Sequence, residues 1–211
     1  DSFTFCRHLY SDTRGHPWNR SRALNIGIRH SRTEFVLTTD VDMIFAPNFV
    51  ETLLLKQDGN TIVCCAPRWL PKSFTDWVDL TTSGDDFPLG DQSQLGGCQC
   101  VPRDIVTQIH GFDESFEYWG MEDTDIQWRL TKLGLRQTWI DDKTSIFHQW
   151  HPKERGGVPR SHNQRWVQDY LSQVNDTLTR NATDWGQIKQ RDERPLLKLL
   201  SKVQSESTPK V

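Results

Sequence analysis

The sequence predicts an α/β domain in which strands and helices alternate along the chain and pack in layers. Short apolar segments typical of buried strands are separated by longer segments whose apolar residues recur at helical spacing. The length of 211 residues suits one domain, or one domain with a tail. The net charge of −3 gives no support for nucleic-acid binding, so no nucleic-acid partner is expected.

The first half of the chain contains two predicted helices and two predicted strands. Residues 19–31 predict a helix, and residues 34–39 predict a short strand. Pro47 lies near the start of a second helix. Residues 61–66 predict another buried strand. The second helix is expected to bury an apolar side made of Phe49, Val50, Leu53, Leu54 and Leu55.

A long segment then separates these elements from the next strand. Residues 67–97 are rich in Pro, Gly, Asp and Ser, and loops of such length inside a domain are usually functional. We therefore expect a lid or an acceptor-binding surface there. A strand at 97–102 leads into a helix at about 103–110, and a turn beginning at Gly111 follows.

The remaining elements are a helix, two strands and a polar tail. Residues 122–133 predict a clear helix, which Gly134 ends as a C-cap. Strands are expected at 136–140 and 144–148. Beyond about residue 160 the sequence is polar, apart from a short amphipathic piece at 195–203.

Two acidic clusters are the features that indicate chemistry. The pair Asp40 and Asp42 ends an apolar strand, where an unpaired buried charge would be costly. Oxygen ligands at such a strand end suit a divalent cation that also holds phosphates. The second cluster, residues 119–125, places carboxylates beside an indole and a glycine. Together they predict a metal-dependent site for a phosphorylated sugar or a nucleotide.

Cysteine usage and hydropathy bear on the compartment. Five cysteines without zinc-ribbon spacing are most simply read as buried free thiols in a reducing compartment. No stretch is long and apolar enough to span a membrane. We expect a cytoplasmic protein, either free in solution or associated with a membrane. Because the chain begins at Asp1 rather than Met, an N-terminal anchor could have been removed, and the alternative location is then the Golgi lumen.

A series of motifs resembles one known family. The motifs are Asn19-Arg20, Leu24-Asn25 with Gly27, Thr39-Asp40-Val41-Asp42-Met43-Ile44, Gly96-Gly97, Gly111-Phe112, Trp119-Gly120-Met121-Glu122-Asp123 with Arg129 and Gly134, and His148-Gln149-Trp150-His151. They resemble GT-A glycosyltransferases, and most of all the β-1,4-galactosyltransferases and the related chondroitin-polymerase-like enzymes. The resemblance covers roughly residues 18–151.

The resemblance implies a fold and a domain organisation. It implies the GT-A fold, a Rossmann-like nucleotide-diphospho-sugar transferase fold with a mixed central sheet. Only 18 residues precede Asn19, whereas such domains usually have a β-α-β unit there. We therefore expect part of the N-terminal nucleotide-binding unit to be lacking. Residues 1–160 would form the catalytic domain, and residues 161–211 a helical or polar C-terminal tail.

The resemblance also implies a metal site. Asp42, the second acid of the D-x-D pattern, would bind Mn²⁺ or Mg²⁺, while Asp40 would contact ribose or sugar hydroxyls. The later metal ligand of the family is a His with a Met three positions before it. His151 fits that ligand, with His148 at the Met position, but His148 can also be aligned as the sole ligand.

The resemblance assigns the catalytic base as well. Asp123 matches the general base of inverting members, which takes the proton from the acceptor hydroxyl. Glu122 would bind the donor or acceptor sugar, and Trp119 would form its platform. Arg20 and Gly97 would contribute to donor or acceptor binding. In contrast, Asp125 and Arg129 are interpreted as an ordinary ion pair one helical turn apart.

These roles imply a metal-dependent inverting glycosyltransferase that moves a sugar from a nucleotide-diphosphate donor to a carbohydrate hydroxyl. A UDP-sugar is the expected donor. Met121 and Thr124 depart from the galactosyltransferase pattern, so the transferred sugar stays open. The alternatives are a non-catalytic carbohydrate-binding domain and a sugar nucleotidyltransferase. A phosphatase of the D-x-D type is disfavoured, because it needs a Thr where this chain has Ile44.

Overall fold

A four-stranded mixed sheet forms the centre of the computed structural model, which describes residues 5–74, 86–92, 95–118, 120–152 and 177–189. Its strands are β1 (Phe35–Thr39), β5 (Cys98–Pro102), β3 (Thr61–Cys64) and β6 (Arg136–Trp139), in that order across the sheet. The first three are antiparallel neighbours, whereas β3 and β6 run parallel. The predicted mixed α/β architecture is confirmed.

A second, three-stranded sheet lies beside the carboxyl end of β1. It consists of β2 (Met43–Phe45), β7 (Ile146–His148) and β4 (Pro67–Trp69), in the order β2-β7-β4. Strand β2 is antiparallel to β7, and β4 is parallel to it. The sequence analysis missed β2 and placed β4 inside the predicted loop 67–97. Both strands have only three residues, too few for an alternating pattern to be recognised.

In the described part of the chain, four α-helices flank the sheets, close to the predicted ranges. They are α1 (Arg20–His30), α2 (Phe49–Lys56), α3 (Arg103–Gln108) and α4 (Glu122–Lys132). Helix α1 starts where it does because the side chain of Asn19 accepts a hydrogen bond from the backbone N–H of Arg22 at 2.8 Å. Helix α4 ends at Lys132, and Gly134 follows two residues later with a φ of +95°, which is accessible to glycine without strain.

The apolar side predicted for α2 is only partly correct. Phe49 and Leu53 are buried, but Val50, Leu54 and Leu55 are exposed. Positions 49 and 53 are one helical turn apart and share a face, whereas the other three lie around the rest of this short helix. The buried stripe of α2 is therefore narrower than the run of apolar residues predicts.

The core lies on both faces of the four-stranded sheet. Successive residues of β3 point to opposite faces, as expected for a strand. Ile62 belongs to the apolar cluster that includes residues of α1, α3 and α4, and Val63 belongs to the cluster that includes residues of α2. Trp185, from the described part of the C-terminal segment, is buried in the first of these clusters.

All five cysteines are free, as the sequence suggested. Cys64, Cys65, Cys98 and Cys100 are buried, but Cys6 is exposed. Burial raises the pKa of Cys64 and of Cys65 to about 12, so these thiols stay protonated and unreactive near neutral pH. Within the described ranges, no helix is long and apolar enough to cross a membrane. The amphipathic piece at 195–203 lies outside the described residues.

Candidate active site

The second sheet brings one carboxylate and two imidazoles together. Asp42 immediately precedes β2, whose residue Met43 is paired with His148 at the end of β7. The backbone N–H of Gln149 also donates to the carbonyl oxygen of Asp42 at 3.0 Å. These backbone bonds hold the two strand ends side by side, although they are far apart in sequence.

The side chains of Asp42, His148 and His151 meet at this point. Oδ2 of Asp42 lies 3.5 Å from Nε2 of His148 and 3.3 Å from Nε2 of His151. Each residue offers one potential ligand atom, and the three atoms lie within 4.8 Å of one another. The ring of Trp69 packs against His148 with a centroid distance of 4.6 Å, which restricts the imidazole.

The donor set of this cluster fits a divalent cation. A carboxylate oxygen and two imidazole nitrogens converge on one point, and such mixed sets suit transition metals, Mn²⁺ included. Within the described residues, Nδ1 of His148 is buried without a hydrogen-bond partner. All three predicted metal ligands therefore lie together, and the geometry does not single out one histidine.

A second cluster is centred on the guanidinium of Arg20, at the first turn of α1. Its Nε and Nη2 donate to Oδ1 of Asp40 at 3.1 and 2.8 Å. Its Nη1 donates to Oδ1 of Asp123 at 2.8 Å and lies 3.5 Å from Oε1 of Glu122. Nη2 also donates to the carbonyl oxygen of Gly96 at 2.9 Å. One cation thus holds three carboxylates from two distant parts of the chain.

Burial changes the proton affinities in this cluster. Burial raises the pKa of Asp123, and Arg20 offsets this only in part. Burial, followed by the neighbouring charge of Asp123, raises the pKa of Glu122. Burial alone would lower the pKa of Arg20, but its carboxylate partners raise it, so the guanidinium stays charged. Such raised carboxyl pKa values are typical of groups that exchange protons during catalysis.

Gly96 and Gly97 lie between the two clusters. A Cβ atom on Gly96 would stand 2.6 Å from Oδ2 of Asp123, and one on Gly97 would stand 3.2 Å from Cε of Met43. The hydroxyl of Thr39, just before Asp40, donates to the carbonyl oxygen of Gly97 at 2.9 Å. Because Gly96 and Gly97 have no side chains, this turn can pass between Asp123 and strand β2, which follows Asp42.

The structure therefore brings the predicted site residues into two neighbouring groups. Asp42, His148 and His151 form one group, and Arg20, Asp40, Glu122 and Asp123 form the other, with Gly97 between them; Trp119 lies outside the described residues. The functional role of each residue stays a prediction.

The ion pair expected between Asp125 and Arg129, one helical turn apart, is present, and it lies in the interior of the protein. The two residues do pair, with Nε of Arg129 2.8 Å from Oδ2 of Asp125, but both side chains are buried and Arg180 lies 3.4 Å from Oδ1. Sequence reasoning also missed the polar contacts of Asn181, because nothing local in the sequence indicates what its amide reaches.

Two family models match this chain. The model described as "Glycosyl transferase family 2" matches residues 12–113, and the model described as "N-terminal domain of galactosyltransferase" matches residues 81–152. The two matched ranges contain the residues of both clusters described above.

The chain is similar to named animal enzymes. It is 25% identical to human beta-1,4-galactosyltransferase 3 over 170 residues, which cover 81% of this chain and 38% of that protein. It is 27% identical to human chondroitin sulfate synthase 3 over 128 residues, covering 56% of this chain and 14% of that protein. The chain thus spans about two fifths, or less, of the length of these relatives.

The fold is similar to that of a solved enzyme. The catalytic domain of Drosophila β1,4-galactosyltransferase 7, crystallised with xylobiose, superposes with a TM-score of 0.50 and 18% identity. The superposition covers 72% of this chain and 60% of that one. At this identity the similarity establishes the fold and nothing finer.

Proposed function

We propose that this chain transfers a sugar from a UDP-sugar to a carbohydrate hydroxyl. It would act as a GT-A glycosyltransferase of the group that includes the β-1,4-galactosyltransferases. The reaction would depend on Mn²⁺ or Mg²⁺ and would invert the anomeric configuration. One observation carries the proposal: a cluster able to bind a metal and a partly buried acid cluster lie on either side of the turn Gly96–Gly97.

The metal-binding half of the site would consist of Asp42, His148 and His151. When bound, a divalent cation supplies Lewis-acid stabilisation of the charge that develops on the leaving diphosphate. Asp42, His148 and His151 would hold the ion, which would then be available to bind the diphosphate of the donor. The fit rests on the convergence of one oxygen and two nitrogens within 4.8 Å.

The acid half would perform the proton transfer. Oδ1 of Asp123 is held by Arg20, while Oδ2 lies beside Gly96, where a side chain is absent. Oδ2 would accept the proton of the acceptor hydroxyl as that oxygen attacks the anomeric carbon from the face opposite the diphosphate. The base and the leaving group then lie on opposite sides of the transferred sugar, which produces inversion.

Glu122 and Asp40 would hold sugar hydroxyls. Oε2 of Glu122 is buried and has no hydrogen-bond partner within the described part of the chain. A buried acceptor of this kind is costly unless a donor group reaches it, and a sugar hydroxyl would be such a donor. Asp40 is more exposed, and only its Oδ1 is bound by Arg20. It would contact the ribose or the donor sugar.

The names of the relatives favour one donor to test first. The human protein that aligns with 81% of this chain is a galactosyltransferase, so UDP-galactose is the first choice. The acceptor and the linkage follow from a screen rather than from the site.

The experiment is a transfer assay with a carbohydrate panel, UDP-galactose and Mn²⁺ or Mg²⁺, in which released UDP and the mass of the product are both measured. Wild-type protein should release UDP and lengthen an acceptor only when metal is present. Asp42→Asn should remove the metal-dependent activity, whereas Asp142→Asn, at an exposed aspartate outside both clusters, should not.

A carbohydrate-binding domain would bind sugars without UDP release, and a nucleotidyltransferase would release or consume diphosphate instead. Failure of every UDP-, GDP- and dTDP-sugar to support metal-dependent transfer would contradict the proposal.

A further inference from the structure

The described part of the C-terminal segment, residues 177–189, is fastened to the turn at 110–114. The side chain of Asn181 accepts a hydrogen bond from the backbone N–H of Glu114 at 2.9 Å. Its Nδ2 donates to the carbonyl oxygens of His110 and Phe112 at 2.7 and 2.6 Å. One side-chain amide therefore satisfies three backbone groups of the turn, which is more than a casual surface contact.

The same turn is hydrogen-bonded to helix α1, which carries Arg20. The buried side chain of Asn25 donates to the carbonyl oxygen of Phe112 and accepts from its N–H, both at 2.8 Å. Its Nδ2 also donates to Oε1 of Glu114 at 3.0 Å, and Gly186 N–H donates to the same oxygen at 2.6 Å. Asn25 lies about 140° around α1 from Arg20, so these hydrogen bonds are on the far side of the helix.

Helix α4 is also held by contacts on the face opposite its site residue. Asp125 lies about 200° around the helix from Asp123, on the opposite face. Nε of Arg129 lies 2.8 Å from Oδ2 of Asp125, and its Nη1 donates to the carbonyl oxygens of Gly111 and Leu178 at 2.9 and 3.2 Å. The turn and the C-terminal segment therefore hold the back of α4, while its front presents Asp123.

Charge is balanced inside this junction. Arg129 is fully buried, and Arg180 places Nη2 3.4 Å from Oδ1 of Asp125. Asp113, also buried, interacts electrostatically with Asp125 and Arg180. Two cations and two carboxylates thus occupy a water-poor region, where removing one member leaves an uncompensated charge.

We propose that Arg180 and Asn181 are positioning residues of the active site. Through the turn at 110–114 and through Asp125, they set the distance between Arg20 on α1 and Asp123 on α4. Residues 177–189 then belong to the catalytic domain. The inference rests on the proposed function, because it assigns the segment to the alignment of the base.

The physical consequence is a defect in catalysis that is distinct from a defect in folding. Arg20 and Asp123 meet at 2.8 Å, and misplacement of a reacting group by about 1 Å can reduce the rate by roughly a hundredfold. Among the described residues, three charged groups contact or interact with Asp123: Arg20 from α1, Asp40 after β1 and its neighbour Glu122. The buried thiol of Cys64 on β3 also interacts with it electrostatically. Loss of the Arg20 contact removes the influence that lowers the Asp123 pKa.

The test compares Arg180→Ala and Asn181→Ala with the matched control Asp184→Ala, an exposed position in the same segment. For both test variants we expect kcat to fall about tenfold or more, with KM for the donor nearly unchanged. The acidic limb of the kcat profile should also move to higher pH. A lower kcat with the limb unchanged would mean a smaller folded fraction, and it would overturn the inference.

A second measurement does not depend on activity. Hydrogen exchange of α4, followed by mass spectrometry, should be faster in Arg180→Ala and Asn181→Ala than in Asp184→Ala. Equal exchange in all three would overturn the inference. If the wild-type protein transfers no sugar, the proposed function fails, yet exchange still decides whether the segment holds α4. If the alanine variants do not fold, Arg180→Lys and Asn181→Asp replace them, with the same expected directions and smaller changes.

Discussion

Arg20 holds Asp123 by one carboxylate oxygen and leaves the other beside a glycine. Nη1 of Arg20 donates to Oδ1 of Asp123 at 2.8 Å, across 103 residues of sequence. A Cβ atom on Gly96 would stand only 2.6 Å from Oδ2. A carboxylate fixed in this manner keeps its orientation and still offers one oxygen to a substrate hydroxyl. This relationship underlies the first four predictions.

Replacing the proposed base should separate chemistry from binding. In Asp123→Asn, we expect turnover to fall by roughly a hundredfold or more, the usual scale for loss of a general base, with donor and metal affinity nearly unchanged. Asn keeps the size and one acceptor oxygen, so packing is preserved. Steady-state rates and UDP binding by calorimetry check this, and the product should have the inverted anomeric configuration. A rate like that of the wild type, or retention of configuration, would contradict the assignment.

The pH dependence of turnover should reveal the raised pKa of Asp123. Burial raises this pKa above the ordinary value of 3.8, and Arg20 offsets the shift only in part. The base must be deprotonated, so kcat should decline as the pH falls through a value above that of an ordinary aspartate. This acidic limb of the kcat profile should persist in Glu122→Gln. Its persistence in the residual activity of Asp123→Asn would assign the limb to another group.

The same shift has a consequence for stability. A carboxyl group whose folded-state pKa is raised stabilises the fold below its unfolded pKa and loses that contribution as the pH rises through the folded pKa. Asp123→Asn should therefore be no less stable than the wild type at neutral pH, since Arg20 keeps Asp40 as a partner. Melting temperatures measured at acidic and neutral pH check this, and a large neutral-pH loss of stability in the variant would contradict it.

A single methyl group at Gly96 should disturb the base without unfolding the domain. The Cβ of Gly96→Ala would overlap Oδ2 of Asp123, so the carboxylate must move and kcat should drop by about tenfold or more. The matched control is Gly27→Ala, at an exposed position inside α1 where an added Cβ meets nothing within 4 Å. It should stabilise the protein by about 0.5–1 kcal/mol and leave kcat unchanged. Equal kcat in the two variants would contradict the proposed role of this turn.

Local patterns predicted the elements whose residues interact mainly with their own neighbours. Asn19 caps α1 and Gly134 follows the end of α4, and both signals are readable in the sequence. Strand β2 has three residues and exists because it pairs with β7, so no local pattern could reveal it. Likewise, the exposure of Val50 on α2 depends on which side of a short helix faces the sheet.

The candidate site likewise combines residues that local motifs predict with residues that only long-range contacts reveal. Asp42 and the two histidines stand in recognisable motifs, so the sequence predicts that they lie together, whereas it does not predict the contact between Arg20 and Asp123. The burial of Arg129 is not predicted either, because it depends on Leu178, whose carbonyl oxygen accepts a hydrogen bond from Arg129, and on Arg180, which pairs with Asp125. Both residues belong to a polar segment that resembles a tail in sequence. Sequence patterns therefore identified residues that carry the chemistry, whereas long-range contacts decide which other residues support them.

The two histidines of the metal cluster should both contribute to metal affinity. Nε2 of each lies within 3.5 Å of Oδ2 of Asp42, although the side chain of His148 is 13% exposed and that of His151 is 54% exposed. We expect His148→Ala and His151→Ala each to weaken Mn²⁺ binding by about tenfold or more, an effect of the size seen for groups that support a metal site. The free Mn²⁺ signal in electron paramagnetic resonance measures this without nucleotide or turnover. His30→Ala, at the far end of α1, is the control and should bind Mn²⁺ like the wild type. If only one substitution weakens binding, the other histidine is not a ligand, and the three-residue metal site proposed for this chain is wrong.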